Sequence, residues 1–259
     1  MSTGMRTDFE TEAVRLVSAA AAARGWRVDV EPSTRFCCRV VTGSGVGFVV
    51  GTDLGLNDSA SRRVAQDKAF AAHFLGVDGV PVVETRVLPS AAEVEVLSGW
   101  EWPVVVKPCR GHGGLGVGLA RGVEEIEEAY TAASALDSVV VVQRYRSAAE
   151  VRVMVLDGEV LASFGKERAE GRIGANLSQG AAWTDVSERL HPEVAMLAVR
   201  ATGCLGLRVS GVDILLNRWD GTEGAEVLEV NATPGLRALA MHRPEKLDRL
   251  IARALDRLC

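Results

Sequence analysis

Apolar and polar residues alternate with two different periods along this chain. Residues 8–24 place apolar side chains at helical spacing, which predicts a first helix that ends before Gly25. Three short apolar stretches follow, separated by turn residues, and they predict strands over 26–30, 36–41 and 46–50. The N-terminal part of the chain is therefore predicted to form one helix and a small sheet.

The rest of the chain mixes both periods. Helices are predicted over 59–75 (with Ser59 as the N-cap), 90–97, 123–135, 187–205 and 244–258. Strands are predicted over 81–88, 104–107, 139–143, 151–156, 160–165, 208–216 and 225–230, and a loop over 167–182. Tight turns at Asp157-Gly158 and Asp220-Gly221 join neighbouring strands, so the sequence favours an α+β fold with a mostly antiparallel sheet.

Composition excludes several classes of protein. The chain has 259 residues, of which 47% are hydrophobic and 24% charged, as in an ordinary globular protein. Its net charge of −5 argues against a general nucleic-acid or anionic-membrane binder. No apolar stretch approaches the ~20 residues that span a bilayer, and the polar start does not resemble a signal peptide. Five cysteines without a C-x-x-C pair fit a reducing cytoplasm better than a disulfide framework or a zinc site.

Two carboxylates and an amide lie in otherwise apolar strands near the C-terminus. The turn at Asp220-Gly221 makes these strands antiparallel neighbours, which is expected to bring Asp213 beside Glu229. Alternation along the second strand puts Glu229 and Asn231 on one face, and Leu228 and Val230 on the other. Because burying two like charges is costly, these oxygens favour a site for a hard cation such as Mg²⁺. Two solvated carboxylates at strand ends are the alternative.

A glycine-rich segment follows an apolar strand that ends at Lys107. Only four of the 29 basic residues are lysines, and lysine is a compact charge that suits single phosphate oxygens. The glycines of residues 111–118 would let backbone N–H groups approach a polyphosphate. The segment has no G-K-[ST] sequence and precedes a strand-like stretch instead of a helix, which argues against a Rossmann dehydrogenase. On its own, such a segment is more commonly a mobile surface hairpin.

Several further polar residues are candidates for binding. Lys68 lies in a predicted helix, where a solvated surface position is the alternative. The apolar strand over 139–143 ends in Gln143, and an amide beside an exposed strand edge could bind adenine, although a plain core strand would have the same sequence. Arg152 and Lys166 lie on the two strands of the predicted hairpin. The four histidines are scattered and form neither a metal-ligand spacing nor a catalytic triad.

In this order, the motifs resemble the ATP-grasp superfamily, in particular its RimK-like branch of glutamate-adding ligases, to which cyanophycin synthetase is related. The matching segments are residues 66–68, 104–108 with the glycine-rich segment, 141–145, 150–152, 176–177, 211–215 and 228–236. The last segment is highly specific, and the ordered set is far more specific than any single member.

The resemblance implies an ATP-grasp fold, in which two α+β lobes clamp ATP. It places a reduced N-terminal (pre-ATP) domain over residues 1–60 and the ATP-grasp domain over 61–259. Within the ATP-grasp domain, the smaller lobe with its glycine-rich flap would cover about 100–145, and the C-terminal catalytic lobe about 146–259.

The resemblance also implies roles for individual residues. Lys68 and Lys107 would contact ATP phosphates. A flap over the nucleotide would consist of Gly111, His112, Gly113, Gly114, Leu115 and Gly116. A hinge at the adenine would consist of Gln143, Arg144 and Tyr145. The ligands of Mg²⁺, or of Mn²⁺ in its place, would be Asp213, Glu229 and Asn231. Arg152 and Lys166 would line the reacting end, where a carboxylate and a developing acyl phosphate need cationic partners. Asn176 would lie near the phosphates and the metal.

The implied reaction is ATP-dependent formation of an amide bond between a carboxylate and an amine through an acyl phosphate. Amino acids, peptides or similar small metabolites would be the substrates, in the cytoplasm, and a homo-oligomer would be compatible with the sequence. Such chemistry needs positioning and charge neutralisation more than a protein nucleophile. Two alternatives stay open: a kinase of the same fold, and a non-catalytic ATP-binding partner subunit.

The chain departs from the family pattern in two places. Relatives have an arginine two residues before the asparagine, whereas Gly174 occupies this position here and Arg172 is the nearest substitute. The segment before Lys68 is also shorter than the usual pre-ATP domain, which normally helps to bind the acceptor. Glutamate addition to a ribosomal protein is therefore not carried over.

Overall fold

The computed structural model describes residues 8–111, 113–167 and 182–257. Its α-helices are α1 (Asp8–Ala23), α2 (Ser59–Gln66), α3 (Lys68–Val77), α4 (Ile126–Ser134), α5 (Pro192–Cys204), α6 (Arg237–His242) and α7 (Pro244–Asp256). Its strands are β1 (Arg27–Val30), β2 (Cys37–Val41), β3 (Val46–Val50), β4 (Thr85–Leu88), β5 (Val104–Pro108), β6 (Gly118–Ala120), β7 (Val140–Arg144), β8 (Ala149–Leu156), β9 (Glu159–Glu167), β10 (Ala182–Asp185), β11 (Val209–Leu216) and β12 (Glu226–Asn231). Within these ranges, no helix is long and apolar enough to cross a bilayer.

The strands form three antiparallel sheets, with the orders β1-β2-β3, β4-β7-β5-β6 and β10-β9-β8-β11-β12. The last two sheets have α-helices packed against them, as the predicted α+β class requires. The prediction of a mostly antiparallel sheet behind the candidate chemistry is therefore confirmed.

The N-terminal helix shares one hydrophobic core with the C-terminal helices. α1 buries Ala13, Val14, Val17 and Ala21, which form one stripe along the helix. Against this stripe pack the inner face of the three-stranded sheet, α6, α7 and part of one face of the five-stranded sheet. The first and last segments of the chain are thus held together by common burial, and a domain boundary near residue 60 stays a prediction.

The five-stranded sheet packs differently on its two faces. One face contributes fully buried residues such as Val153 and Val212 to a second core, which also contains residues of α2, α3 and α5. The other face joins the first core through residues such as Met154 and Phe164. Beyond these apolar residues, the same face carries the charged side chains of the candidate site.

The four-stranded sheet forms a separate lobe with α4. Val104 and Val106 of β5 and Val142 of β7 are fully buried against Ile126 and other residues of this helix and its surroundings. β6 follows the glycine-rich segment and pairs with β5, as the strand-like stretch after that segment predicts. The candidate phosphate-binding segment is therefore the connection between two strands of this lobe.

The prediction of a single helix over 59–75 is wrong, because two helices occupy this part of the chain. Asp67 interrupts it with a backbone outside the helical region (φ −92°, ψ 108°). The Asp67 carboxylate accepts a hydrogen bond from the backbone N–H of Phe70 and thereby caps the start of α3. α2 is likewise capped by Asp58 and not by Ser59.

Short elements account for the other differences. The predicted strand over 81–88 is reduced to β4, and the predicted helix over 90–97 is a 3₁₀ helix at Val94–Leu97. The sequence does not predict α6, with six residues, or β10, with four. Elements this short carry too few apolar positions to reveal a period. Most of the predicted loop over 167–182 lies outside the described residues.

Candidate active site

Charged side chains gather at one end of the five-stranded sheet. In the ladders, Asp213 on β11 is opposite both Arg152 on β8 and Glu229 on β12. Lys166 on β9 is opposite Glu150 on β8. Residues opposite each other on neighbouring strands project to the same face, so the sheet brings these five side chains together. The prediction that Asp213 lies beside Glu229 is confirmed by this register.

Asp213 is the centre of the cluster and is almost fully buried, with 1% of its surface exposed. Its Oδ1 accepts a hydrogen bond from Arg152 Nε at 2.7 Å and lies 2.7 Å from Lys166 Nζ. Its Oδ2 accepts a second hydrogen bond from the Arg152 guanidinium. Burial alone would raise the pKa of Asp213, but the charges of Arg152 and Lys166 outweigh it and hold that pKa well below its ordinary value. Asp213 is therefore an ionised carboxylate that two cations neutralise.

Lys166 is enclosed between two carboxylates. Its Nζ donates a hydrogen bond to Glu150 Oε1 at 2.5 Å and contacts Asp213 as described above. Only 1% of the Lys166 side chain is exposed, compared with 10% of the Arg152 side chain. Of the two predicted cations, Arg152 is therefore the more accessible, and a substrate could reach Lys166 only if its ion pairs opened.

Glu229 and Asn231 extend the cluster to the sheet edge. Asn231 Nδ2 donates hydrogen bonds to Glu229 Oε1 at 3.2 Å and to the backbone oxygen of Gly211 at 3.3 Å. Glu229 Oε1 lies 3.9 Å from the Arg152 guanidinium, and 29% of the Glu229 side chain is exposed. Glu229 thus connects the buried ion pairs to the solvent side.

The donor set suits a hard divalent cation. Asp213 and Glu229 are directly opposite each other, and Asn231 is two residues further along the same strand as Glu229. Carboxylate and amide oxygens are the donors that Mg²⁺ prefers. In the part of the chain that the structure describes, no group of three or more His, Cys, Asp or Glu side chains has metal-binding geometry, so the candidate set relies on the amide as its third member. The predicted metal ligands are chemically suitable, and their role stays a prediction.

A β-bulge changes the expected alternation along β12. Asp213 is opposite Glu229, whereas the next residue, Ile214, is opposite Val227, which leaves Leu228 as the additional residue. Val227 is fully buried, whereas Leu228 is only half-buried. The bulge takes Leu228 out of the regular alternation, and its predicted packing opposite Glu229 stays a prediction, whereas Val230 packs in the second core as predicted. A bulge of this kind re-aims the side chains beside it, here those of the candidate metal ligands.

The small size of Gly211 makes room for the Arg152 side chain. A Cβ atom at this position would lie 3.1 Å from Arg152 Cδ and 2.9 Å from Pro234 Cβ. We expect Gly211→Ala to displace Arg152 and to lower the free energy of unfolding by about 1–3 kcal/mol through overpacking. Urea unfolding measures the loss of stability. Initial rates of ADP release measure the effect of displacing Arg152. Gly43→Ala is the control, because a Cβ there meets nothing within 4 Å, and a Gly211→Ala protein that matches it would contradict the role of this space.

Two lysines lie at the start of the glycine-rich segment. Lys107, at the end of β5, is buried, and Lys68 opens α3. Lys68 Nζ donates hydrogen bonds to the backbone oxygens of Gly111 at 2.9 Å and Cys109 at 3.3 Å. Burial lowers the pKa of Lys107 to about 8, with the charge of Glu229 opposing the shift and that of Lys68 adding to it. Charged residues outside the four-stranded lobe, such as Glu229, therefore act on Lys107.

The pKa of Lys107 predicts a pH dependence of nucleotide binding. Below about pH 8 the ammonium is protonated and attracts phosphate, and above that value it becomes neutral in the free protein. We therefore expect the affinity for ADP to fall about threefold to tenfold for each pH unit above 8, with proton uptake on binding. Calorimetric titrations from pH 7 to 9.5 in buffers of different ionisation enthalpy measure both effects. Equal affinities across that range would contradict the assignment.

The glycines of the segment permit a backbone that other residues would strain. Gly113, Gly114 and Gly116 all have positive φ, between 67° and 73°. At Gly116, a Cβ would also lie 2.8 Å from Leu136 Cδ1. The tight chain path therefore requires glycine here, as the phosphate-binding prediction assumes, and the Leu115 side chain is exposed.

The three predicted hinge residues have different environments. Gln143 is buried, and its Nε2 donates a hydrogen bond to Thr85 Oγ1 at 2.7 Å. Its Oε1 is also buried, yet it has no hydrogen-bond partner among the described residues. Arg144 pairs at 3.1 Å with Glu84 and is exposed. The backbone N–H of Tyr145 donates to the backbone oxygen of Pro103 at 3.4 Å.

Four residues that the sequence analysis considers lie outside the described residues, and two residues of the site have no role in that analysis. His112, Asn176, Arg172 and Gly174 lie outside the described residues. Glu150 and Trp183 belong to the charged cluster or its border, but the sequence assigns them no role. Glu150 could be found from the sequence, because it lies two residues before Arg152 and therefore on the same strand face. Trp183 could not, because its position depends on a pairing across the segment 168–181.

Solved structures share the fold of this chain. A bifunctional glutathione synthetase from Pasteurella multocida matches 87% of this chain and 41% of its own, with a TM-score of 0.59 and 17% identity. A D-alanine–D-alanine ligase from Bacillus anthracis, complexed with ATP, matches 78% of this chain and 70% of its own, with a TM-score of 0.59 and 20% identity. At such identities the likeness concerns the fold alone. It confirms the predicted ATP-grasp fold.

Sequence comparison identifies the family. The family model of the RimK-like ATP-grasp domain matches residues 65–255, and the chain therefore belongs to this family. A probable alpha-L-glutamate ligase of Chromohalobacter salexigens is 31% identical over 189 residues, which are 71% of this chain and 61% of the relative. One of Klebsiella pneumoniae is 33% identical over 186 residues, 70% of this chain and 60% of the relative. The chain thus spans about three fifths of the length of these relatives.

Proposed function

We propose that this protein is an ATP- and Mg²⁺-dependent ligase that joins a carboxylate to an amine. The observation that carries the proposal is the cluster in which Asp213 is held by Arg152 and Lys166 beside Glu229. Such a cluster has both the anions that a metal needs and the cations that a reacting carboxylate and phosphate need. Membership of the RimK-like ATP-grasp family supports the same activity.

ATP is the proposed energy source. Lys107 is a buried cation at the start of a glycine-rich turn, and Lys68 is tethered beside it, which suits a polyphosphate. The buried Gln143 Oε1 lacks a partner among the described residues, and it would accept a hydrogen bond from the amino group of adenine once the side chain turned toward the nucleotide. The nucleotide would therefore lie along the four-stranded lobe with its phosphates toward the charged cluster.

The proposed metal ligands are Asp213, Glu229 and Asn231, and Mg²⁺ bound there would neutralise charge on the phosphates. The substrate carboxylate would attack the γ-phosphorus, which releases ADP and forms an acyl phosphate. An amine would then attack the acyl carbon and release phosphate, which leaves an amide. Arg152 would orient the carboxylate and stabilise its developing charge, and Lys166 would hold Asp213 and Glu150 in place.

The substrates are proposed from chemistry and from the relatives. Amino acids or peptides fit a reaction between a carboxylate and an amine, and relatives named probable alpha-L-glutamate ligases make L-glutamate the first amino acid to test. We place the reaction in the cytoplasm, where ATP is available.

Product analysis tests the proposal. ADP release is measured with Mg²⁺ and ATP across pairs of amino acids and dipeptides, each with L-glutamate as one member, and the product mass is determined. A ligase gives ADP together with a product whose mass is the sum of both substrates less one water. ADP and a stable phosphorylated product, with no hydroxamate when hydroxylamine is added, would instead indicate a kinase. No ADP with any pair would contradict the proposal.

A further inference from the structure

An aromatic ring borders the two buried cations of the candidate site. Trp183 on β10 is opposite Lys166 on β9, so both side chains are on the same face of the sheet. The centre of the indole ring lies 5.1 Å from Lys166 Nζ and 5.3 Å from Arg152 Cζ. These distances are within the range of cation–π attraction for both groups.

The cations therefore have carboxylates on one side and an aromatic face on another. Glu150 and Asp213 bind Lys166, and Asp213 binds Arg152. Trp183 is half-buried against the first core, with the Phe164 ring 6.2 Å away, which fixes it at the border between core and site. Its ring lies against both cations on the β10 side of the sheet. Arg152 then faces Glu229, 3.9 Å away, on the other side.

We propose that Trp183 is a positioning residue of the site: its ring covers Lys166 and holds Arg152 toward Glu229, so that an anionic carboxylate substrate is bound from the Glu229 side. This inference rests on the proposed ligase function. Removing the ring would admit water to the Lys166 ammonium and the Arg152 guanidinium and free both groups to turn toward β10. Affinity for the carboxylate would fall, whereas the nucleotide contacts in the other lobe would not change.

Trp26 provides a matched control. It is half-buried against the same first core as Trp183, and Arg24 Cζ lies 5.3 Å from its ring centre. Arg24, however, pairs with Asp256, which belongs to α7 and not to the strands of the charged cluster. Replacing Trp26 by leucine removes a similar ring and a similar cation contact without touching the site.

The first test measures directly whether the Trp183 ring covers Lys166, and it needs no substrate. The chain has four lysines, so brief acetylation with acetic anhydride followed by peptide mass spectrometry resolves each one. In the wild-type protein Lys166 should react slowly, like the buried Lys107, and Lys246 serves as the half-buried reference. We expect Trp183→Leu to raise the acetylation rate of Lys166 at least about tenfold relative to Lys246, and Trp26→Leu to leave it unchanged. Equal rates in wild type and Trp183→Leu would overturn the inference.

The second test separates positioning from stability. Initial rates are measured with the carboxylate that gives the highest ADP release in the panel above. Trp183→Leu should raise the KM for that carboxylate about tenfold and change the KM for ATP less than twofold, whereas Trp183→Phe should restore most of the affinity. Equal losses in Trp183→Leu and Trp26→Leu would reduce Trp183 to a core residue and overturn the inference. If the wild-type protein releases no ADP, the proposed function fails, while the acetylation result still decides whether Trp183 covers Lys166.

Discussion

Asp213→Asn is expected to lower the rate of ADP release in the proposed reaction about 10³-fold and to destabilise the protein at the same time. The substitution removes a negative charge from a residue with 1% exposure and leaves Arg152 and Lys166 buried with less compensation. Breaking a buried ion pair by removing one partner costs about 3–5 kcal/mol. For a chain of this size that corresponds to a Tm lower by roughly 10 °C. ADP release with saturating Mg²⁺ and ATP, and thermal unfolding followed by circular dichroism, measure the two losses.

Asp157→Asn is the matched control for this prediction. Asp157 also pairs with two arginines, Arg208 and Arg253, but 29% of its side chain is exposed and it lies in the turn between β8 and β9. Exposed ion pairs contribute about 0–1 kcal/mol, so this variant should lose little stability and no activity. An Asp213→Asn protein that still releases ADP at the wild-type rate would show that Asp213 does not act in the reaction.

Much of the fold could be predicted because it is encoded locally. The hairpin of β8 and β9 follows from two alternating stretches joined by Asp157-Gly158, and that of β11 and β12 from the turn at Asp220-Gly221. The second hairpin also places Asp213 opposite Glu229, which is why the candidate metal ligands could be predicted together. The break at Asp67 could not, because a helical apolar pattern continues through it and only its N-cap geometry ends α2.

Non-local pairing explains what the sequence leaves open in the site. Arg152 contacts Asp213 because β8 pairs with β11, and these strands are separated in the chain by β9, β10 and α5. Trp183 reaches Lys166 through a pairing of the same kind. The sequence does contain a trace of the bulge at Leu228, since Val227 and Leu228 are adjacent apolar residues in a strand that otherwise alternates, but this trace does not by itself fix the position of the bulge. The neutralisation of Asp213 by two cations is therefore a property of the assembled sheet.

Lys107→Met is expected to lower kcat/KM for ATP about 10²-fold while leaving the protein at least as stable as wild type. Methionine keeps the length of the side chain and removes its charge. Because burial lowers the pKa of Lys107 to about 8, the folded state disfavours the ammonium, and an apolar replacement removes that unfavourable contribution. The stability change thus has the opposite sign to that of Asp213→Asn, although both variants should lose activity.

This difference in sign separates the two roles within one site. Lys107 is held charged in the free protein at a cost and has its proposed partner in the phosphates, whereas Asp213 already has its partners in Arg152 and Lys166. ADP affinity by calorimetry and Tm are measured for Lys107→Met beside Lys246→Met, whose lysine lies on α7 and not on an element of the candidate site. A Lys107→Met protein that unfolds at lower temperature but binds ADP as the wild type does would make Lys107 a structural cation. The pH dependence of ADP binding should then persist in the variant, whereas a phosphate-binding Lys107 requires that it disappear.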